Sequence, residues 1–164
     1  MTKSIDTMLE EILNEHLMYE LNQLEDSLYI VRCCPIWFIT NAAIESWCVH
    51  ARSLDDFFRN IRSKSDDVTA EEVTSPTYTA RFVTKIDRNL RIKINKQIAH
   101  ITRGRTRESA DRVTDRDMER ATPLFLNEAE AFGKQIKPEY APAWKWQRRA
   151  PRPTISMIGG VTIL

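Results

Sequence analysis

Residues that break helices are scarce through most of this chain. Glycine occurs four times in 164 residues, and four of the seven prolines fall after Ile136. Long stretches instead repeat apolar side chains every three or four residues, the spacing that places them on one face of an α-helix. The sequence therefore predicts an all-α fold: an antiparallel bundle of about four main helices in residues 1–136, followed by an extended C-terminal tail in residues 137–164 that contains Pro, Arg and Trp.

Four segments carry this pattern over helical lengths. Their predicted bounds are Ser4 to about Ile30, Ile36 to Arg59, Arg81 or Lys85 to Ile101 or Thr102, and Thr114 or Asp115 to Phe132. Either Ser4 or a capping box of Thr7 and Glu10 can begin the first helix. Between the second and third helices, the polar residues 62–79 predict a long connection with one short turn at Ala70–Val73. Pro123 implies either a kink in the fourth helix or a later start capped by Thr122.

The cysteines and the apolar runs bear on the compartment of the protein. Cys33, Cys34 and Cys48 form an odd set with two adjacent members, which argues against the disulfide framework of a secreted domain. The N-terminus lacks the pattern of a signal peptide, and no apolar run approaches the length of a membrane span. We therefore expect a cytoplasmic protein without a membrane partner.

Charge is distributed unevenly although the net charge is only +1. Residues 1–30 carry a net charge of about −6, whereas residues 81–112 carry about +7 and residues 134–152 about +5. A polyanion such as RNA would therefore meet a local basic surface. An equally good interpretation is that the acidic first helix lies across the basic third helix.

The third helix carries the candidate chemistry. At about 100° per residue, its buried face collects five isoleucine and leucine side chains, namely Ile86, Leu90, Ile94, Ile98 and Ile101. Lys93 and His100 then lie about two turns apart at one edge of this face, with Lys96 and Arg103 on the same flank. Arg91 and Asn95 fall on the other flank. A histidine kept neutral by nearby cations can act as a general base, or it can be a boundary residue bonded to another helix.

The remaining candidates favour structural roles. His50 lies on the apolar face of the second helix and is expected to be a satisfied core histidine, although it could instead face His100. Trp144 and Trp146 alternate with tail arginines, which suits either stacking on RNA bases or packing on the bundle. The chain has no Glu-x-x-His pair, zinc spacing or phosphate-binding glycine loop, so we predict no metal site and no cofactor.

The run Lys93-Ile-Asn-Lys-Gln-Ile-Ala-His100, which follows the helix of Asn41–Phe58, resembles the higher-eukaryote-and-prokaryote nucleotide-binding (HEPN) superfamily. The mark of that family is an arginine followed, after four to six residues, by a histidine. His100 matches the family histidine, and Lys93 stands at the arginine position. The resemblance covers roughly residues 36–105.

This resemblance implies a helical homodimer and a metal-independent endoribonuclease of a bacterial toxin–antitoxin or phage-defence system, or its vestige. In that mechanism the ribose 2′-hydroxyl attacks the adjacent phosphate, while the histidine handles a proton and the cation stabilises the charge. His100 and Lys93 would be catalytic, and four further cations would hold the RNA backbone: Lys96, Arg103, Arg91 and Arg105. The alternative is a non-catalytic helical interaction or scaffold protein that binds a partner subunit, such as an antitoxin.

Overall fold

The computed structural model of the protein describes residues 4–99 and 112–152, with Ala99 described by its backbone alone. The predicted all-α fold is confirmed: these residues contain no strand, and a single antiparallel bridge joins Thr74 to Ile136. The helices are α1 (Ile5–Glu11), α2 (Leu17–Cys33), α3 (Trp37–Phe58), α4 (Ala70–Val73), α5 (Arg88–Ala99) and α6 (Asp115–Gly133). Within the same ranges, none of the helices has the length and apolar character needed to cross a membrane.

The first predicted helix is continuous but contains a π turn. Ser4 caps it, accepting a hydrogen bond from the Thr7 N–H at 3.2 Å, and residues Ile12–His16 widen into a π turn between α1 and α2. Leucines at 9, 13, 17 and 21 are all buried. In a regular helix, side chains four residues apart are rotated by about 40° from each other around the helix axis. The extra residue in the π turn offsets this rotation, so the four leucines stay on one face. Ile5, in the first turn of α1, is exposed.

Helix α3 forms the centre of the bundle and packs against α2, α5 and α6. Its residues Trp47, Leu54 and Phe58 are completely buried. Near the C-terminal end of α6, Phe132 contacts four rings edge-on at centroid distances of 5.2–5.8 Å, those of Phe57, Phe58, Tyr78 and Trp144. Ile36, the predicted first residue of this helix, is instead its N-cap and is 43% exposed, because it precedes the first turn in an extended conformation.

Helix α6 begins at the earlier of its two predicted starts. Thr114 and Asp117 form a capping box, in which the Thr114 hydroxyl accepts from the Asp117 N–H at 3.2 Å and the Asp117 carboxylate accepts from the Thr114 N–H at 3.1 Å. The alternative start at Thr122 is wrong. Pro123 lies inside the helix on its exposed side, and the Thr122 hydroxyl accepts a hydrogen bond from the Trp47 indole at 3.0 Å.

The described part of the tail packs along the bundle. Tyr140 and Trp146 are buried with the core, and the Tyr140 hydroxyl donates to Asp6 at 2.9 Å. Arg149 reaches Asp26 of α2 at 2.6 Å. The apolar segment from Ile155 to Leu164 lies outside the described residues.

Candidate functional site: the cleft between α5 and α6

A buried carboxylate fixes the segment that leads into α5. Glu128 of α6 is completely buried, and its Oε2 accepts hydrogen bonds from the N–H groups of Arg81, Phe82 and Val83 at 2.8, 2.6 and 3.2 Å. These donors lead into a 3₁₀ turn at Val83–Lys85, and α5 begins only after this turn, at Arg88. The sequence offered one signal for this residue, an acid in line with the apolar positions of α6.

Arg91 binds the backbone carbonyls of the 3₁₀ turn and of the residue that follows it. Its guanidinium donates to the carbonyls of Val83 and Ile86 at 2.6 and 2.5 Å. It also forms a two-pronged pair with Asp55 of α3, at 2.9 and 3.1 Å. Because these bonds engage all three guanidinium nitrogens, Arg91 joins α3 to the start of α5.

Lys93 lies in an open pocket between α5 and α6. The pocket has a volume of about 230 Å³, and Lys85 and Arg120 line it as well. The Nζ of Lys93 donates to Asp117 Oδ2 at 3.2 Å. The pocket therefore presents three cations, one of which is held in place by a carboxylate.

The Asp117 carboxyl responds to this environment. Its burial, the largest single influence, favours the neutral acid. The hydrogen bonds with Thr114 and Lys93 and the charge of Lys93 together outweigh burial, so the pKa of Asp117 lies below its ordinary value. The carboxylate is thus charged at neutral pH and holds the ammonium of Lys93 against the helix.

The predicted separation of Lys93 from Arg91 and Asn95 is confirmed, whereas Ile98, predicted on the buried face, is only half-buried. Ile86, Leu90 and Ile94 are buried, and Arg91 and Asn95 line a separate pocket of about 150 Å³ beside α3. Lys96 is exposed. Three predicted site residues lie outside the described part of the chain: His100, Arg103 and Arg105.

His50 is buried, as expected of a core histidine. Its Nδ1 lies 2.7 Å from Glu20 Oε2 of α2, and the ring of Tyr19 meets the imidazole edge-on with centroids 5.5 Å apart. His50 therefore pairs with α2, while the predicted catalytic residue Lys93 pairs with α6.

The tail tryptophans pack on the bundle. Trp144 contacts both Phe132 and Trp146, while Arg148 and Arg149 pair with Glu130 and Asp26. This is the packing alternative that the sequence left open. Within residues 4–99 and 112–152, no group of three or more His, Cys, Asp or Glu side chains is arranged to hold a metal ion.

Comparisons with protein-family models, curated proteins and solved structures found no match to this chain. The functional argument therefore depends on the cleft itself.

Proposed function

We propose that this protein is a HEPN-like endoribonuclease that holds an RNA phosphate in the α5–α6 cleft and cleaves the chain without a metal ion. The observation that carries this proposal is the placement of Lys93. Its ammonium lies in a pocket with two further cations, Lys85 and Arg120, and its side chain is 23% exposed. A cation positioned in this way is suited to the charge that develops on a phosphate during cleavage.

Asp117 leaves the cleft able to receive an anion. The lining contains three cations against two carboxylates, Asp87 and Asp117, so its formal charge is about +1. The Lys93 ammonium has three N–H donors, and only one is needed for Asp117. A phosphate oxygen can use the others while the carboxylate keeps the ammonium in position.

His100 supplies the proton transfer in this proposal. It follows Lys93 by seven residues, or about two helical turns in a regular helix. The imidazole takes the proton of the ribose 2′-hydroxyl, the oxygen attacks the adjacent phosphorus, and the 5′-oxygen leaves with a proton returned to it. The products are a 2′,3′-cyclic phosphate and a 5′-hydroxyl, so atoms and charge balance without a co-reactant.

An RNA-cleavage assay in the presence of a chelator tests the proposal. Single-stranded RNA with a 5′ label is incubated with the wild-type protein, His100→Ala, Lys93→Met and the control Lys64→Met. Lys64 lies on the connection between α3 and α4 and does not line the cleft. We expect cyclic-phosphate products from the wild type and the control, a loss of about 100-fold or more with His100→Ala, and a marked loss with Lys93→Met. Equal cleavage by all four preparations would overturn the proposal.

An exposed apolar corner favours the second candidate, a non-catalytic protein that binds a partner subunit. Trp37 and Phe38 begin α3 and are 75% and 60% exposed, with Ile36 beside them. Contiguous apolar surface of this kind marks many protein interfaces. Replacing Trp37 and Phe38 by serine tests this corner as a contact surface through the molar mass in solution. A wild-type dimer that becomes a monomer supports an interface between two copies, which the nuclease proposal also expects, so it favours the second candidate only if the RNA-cleavage assay shows no activity. An unchanged mass removes this corner from any self-association.

A further inference from the structure

A second groove, unused by the proposed cleavage chemistry, lies between α2, α6 and the end of the described tail. Its volume is about 470 Å³, within the range of small-molecule sites, which is about 300–1,000 Å³. Leu28, Pro123 and Leu126 supply apolar surface, and Tyr29 adds an aromatic ring. The groove can therefore accept a flat apolar group of moderate size.

Four arginines surround this apolar surface: Arg32, Arg148, Arg149 and Arg152. Each is ion-paired, but two of them, Arg149 and Arg152, share the single carboxylate of Asp26. The four side chains remain 35–50% exposed, so their pairs are weak and exchangeable. A phosphate, which binds the guanidinium fork well, can take the place of a shared carboxylate.

Glu25 gives the groove a polar group that needs a donor. It lines the groove, and its Oε2 is buried without a hydrogen-bond partner among the residues that the structure describes. Burial is the main cause that raises the pKa of this carboxyl, and Arg149 and Arg148 act in the opposite direction. Because a buried acceptor without a partner costs free energy, a ligand that supplies N–H donors would gain if the carboxylate turned to present this oxygen to the groove.

These three features restrict the ligand. An amine would satisfy Glu25 but would face four guanidinium groups. A fatty acid would match the apolar surface and the arginines but would bring no donor to Glu25. A nucleotide offers a flat base, donors on its edge and a phosphate, and guanine is the base whose Watson–Crick edge carries two adjacent donors for a carboxylate.

We infer that this groove binds a guanine nucleotide, with the base edge on Glu25, the ring against Leu28 and Leu126, and the phosphate among the tail arginines. The groove and the α5–α6 cleft lie on opposite flanks of α6, since Thr122 and Leu126 line one and Ala121 and Leu124 line the other. A helix is about 10 Å wide, so a short RNA strand that crosses the exposed Arg116 can reach both sites. The strand as the source of the guanine rests on the proposed function; binding of a free nucleotide does not.

Calorimetric titration of the full chain with 5′-GMP, AMP, CMP and UMP tests the site. We expect GMP to bind about 10-fold or more tightly than the others, because two charge-assisted hydrogen bonds are lost with a mismatched edge. Guanosine should bind more weakly than GMP, a comparison that needs no variant. Glu25→Gln should remove the preference for guanine, whereas the control Glu15→Gln, an exposed acid of the π turn, should keep it.

A parallel titration uses two short RNAs that differ in one guanine-to-adenine change. It shows whether the bound guanine comes from an RNA strand or from a free nucleotide. A preference for guanine in the RNA pair alone supports the strand, and a preference with GMP supports the free nucleotide. Equal affinities in both series, or a preference that persists in Glu25→Gln, would overturn the inference. Cleavage of RNA together with equal affinities in both titrations defeats the inference alone, and selective GMP binding without cleavage defeats the proposed function alone.

Discussion

The hydroxyl of Tyr78 donates a hydrogen bond of 3.0 Å to Glu128, and both side chains lie inside the bundle. With the three N–H groups on its other oxygen, Glu128 satisfies four donors of the segment that connects α4 to α5. Burial of the Tyr78 hydroxyl, followed by the neighbouring Glu128 carboxylate, raises the pKa of Tyr78. This cluster holds the turn that precedes α5, the helix from which Lys93 projects.

Substitutions of Glu128 should therefore destabilise the whole fold. Glu128→Leu leaves these four donors without an acceptor and should lower the free energy of unfolding by about 4 kcal/mol. Glu128→Gln keeps one acceptor oxygen and should cost less, about 2 kcal/mol. Urea unfolding followed by circular dichroism measures both. Glu130→Gln, at an exposed position of the same helix, should change the value by under about 1 kcal/mol; losses as large as those of Glu128→Leu would contradict the assignment.

Features set by neighbouring residues could be predicted from the sequence. The apolar spacing located the main helices, and the short turn at Ala70–Val73 and the cap at Thr114 depend on side chains within a few positions. The 3₁₀ turn before α5 could not be predicted, because Glu128 holds it from 45 to 47 residues away. The start of α5 itself has a local signal in Asp87, whose carboxylate accepts a hydrogen bond from the Asn89 N–H at 2.5 Å. The predicted start of α3 at Ile36 was one residue early, since periodicity does not show where the chain turns.

The same limit applies to the candidate site. Helical geometry separated Lys93 from Arg91 and Asn95, and the structure keeps them in different pockets. The partners of these cations are Asp117 and Asp55, at separations of 24 and 36 residues, and nothing local identifies them. Charge patterning therefore found the cations without showing which of them are held by carboxylates.

Substitution of Arg91 distinguishes a role of this residue in folding from a role in RNA binding. Arg91→Lys keeps the charge but cannot serve Asp55 and two carbonyls together, so the free energy of unfolding should fall by about 2 kcal/mol. Arg88→Lys, at an exposed position of the same helix, should change it by under about 0.5 kcal/mol. Fluorescence anisotropy with labelled RNA should show little change in affinity for either folded variant. A large loss of affinity with unchanged stability would instead make Arg91 an RNA-binding residue.

The lowered pKa of Asp117 predicts how the stability of the fold changes with pH. Since the folded pKa lies below the ordinary value of 3.8, the stabilisation is complete above about pH 4 and is lost as the pH falls through the folded pKa. Lys93→Met removes a hydrogen bond to the carboxylate, so the pKa of Asp117 should rise. Carbon-13 NMR of the carboxyl during an acid titration measures the change. Lys85→Met, in the same pocket, should leave the titration nearly unaltered; a rise of similar size there would assign the effect to general charge.

Whether Gly133→Ala stabilises or destabilises the protein should depend on the packing of Trp144 against α6. Alanine is favoured over glycine in a helix by about 1 kcal/mol, so Gly133→Ala would stabilise an isolated α6. In the folded protein, a β-carbon at Gly133 would collide with the Trp144 indole. We therefore expect Gly133→Ala to lower the free energy of unfolding by about 1–3 kcal/mol, as overpacking does elsewhere. In a Trp144→Ala background the collision is absent, and the same change should become neutral or stabilising. Urea unfolding of the four proteins completes the cycle, and a stabilising Gly133→Ala in the wild-type background would show that the tail does not pack against α6.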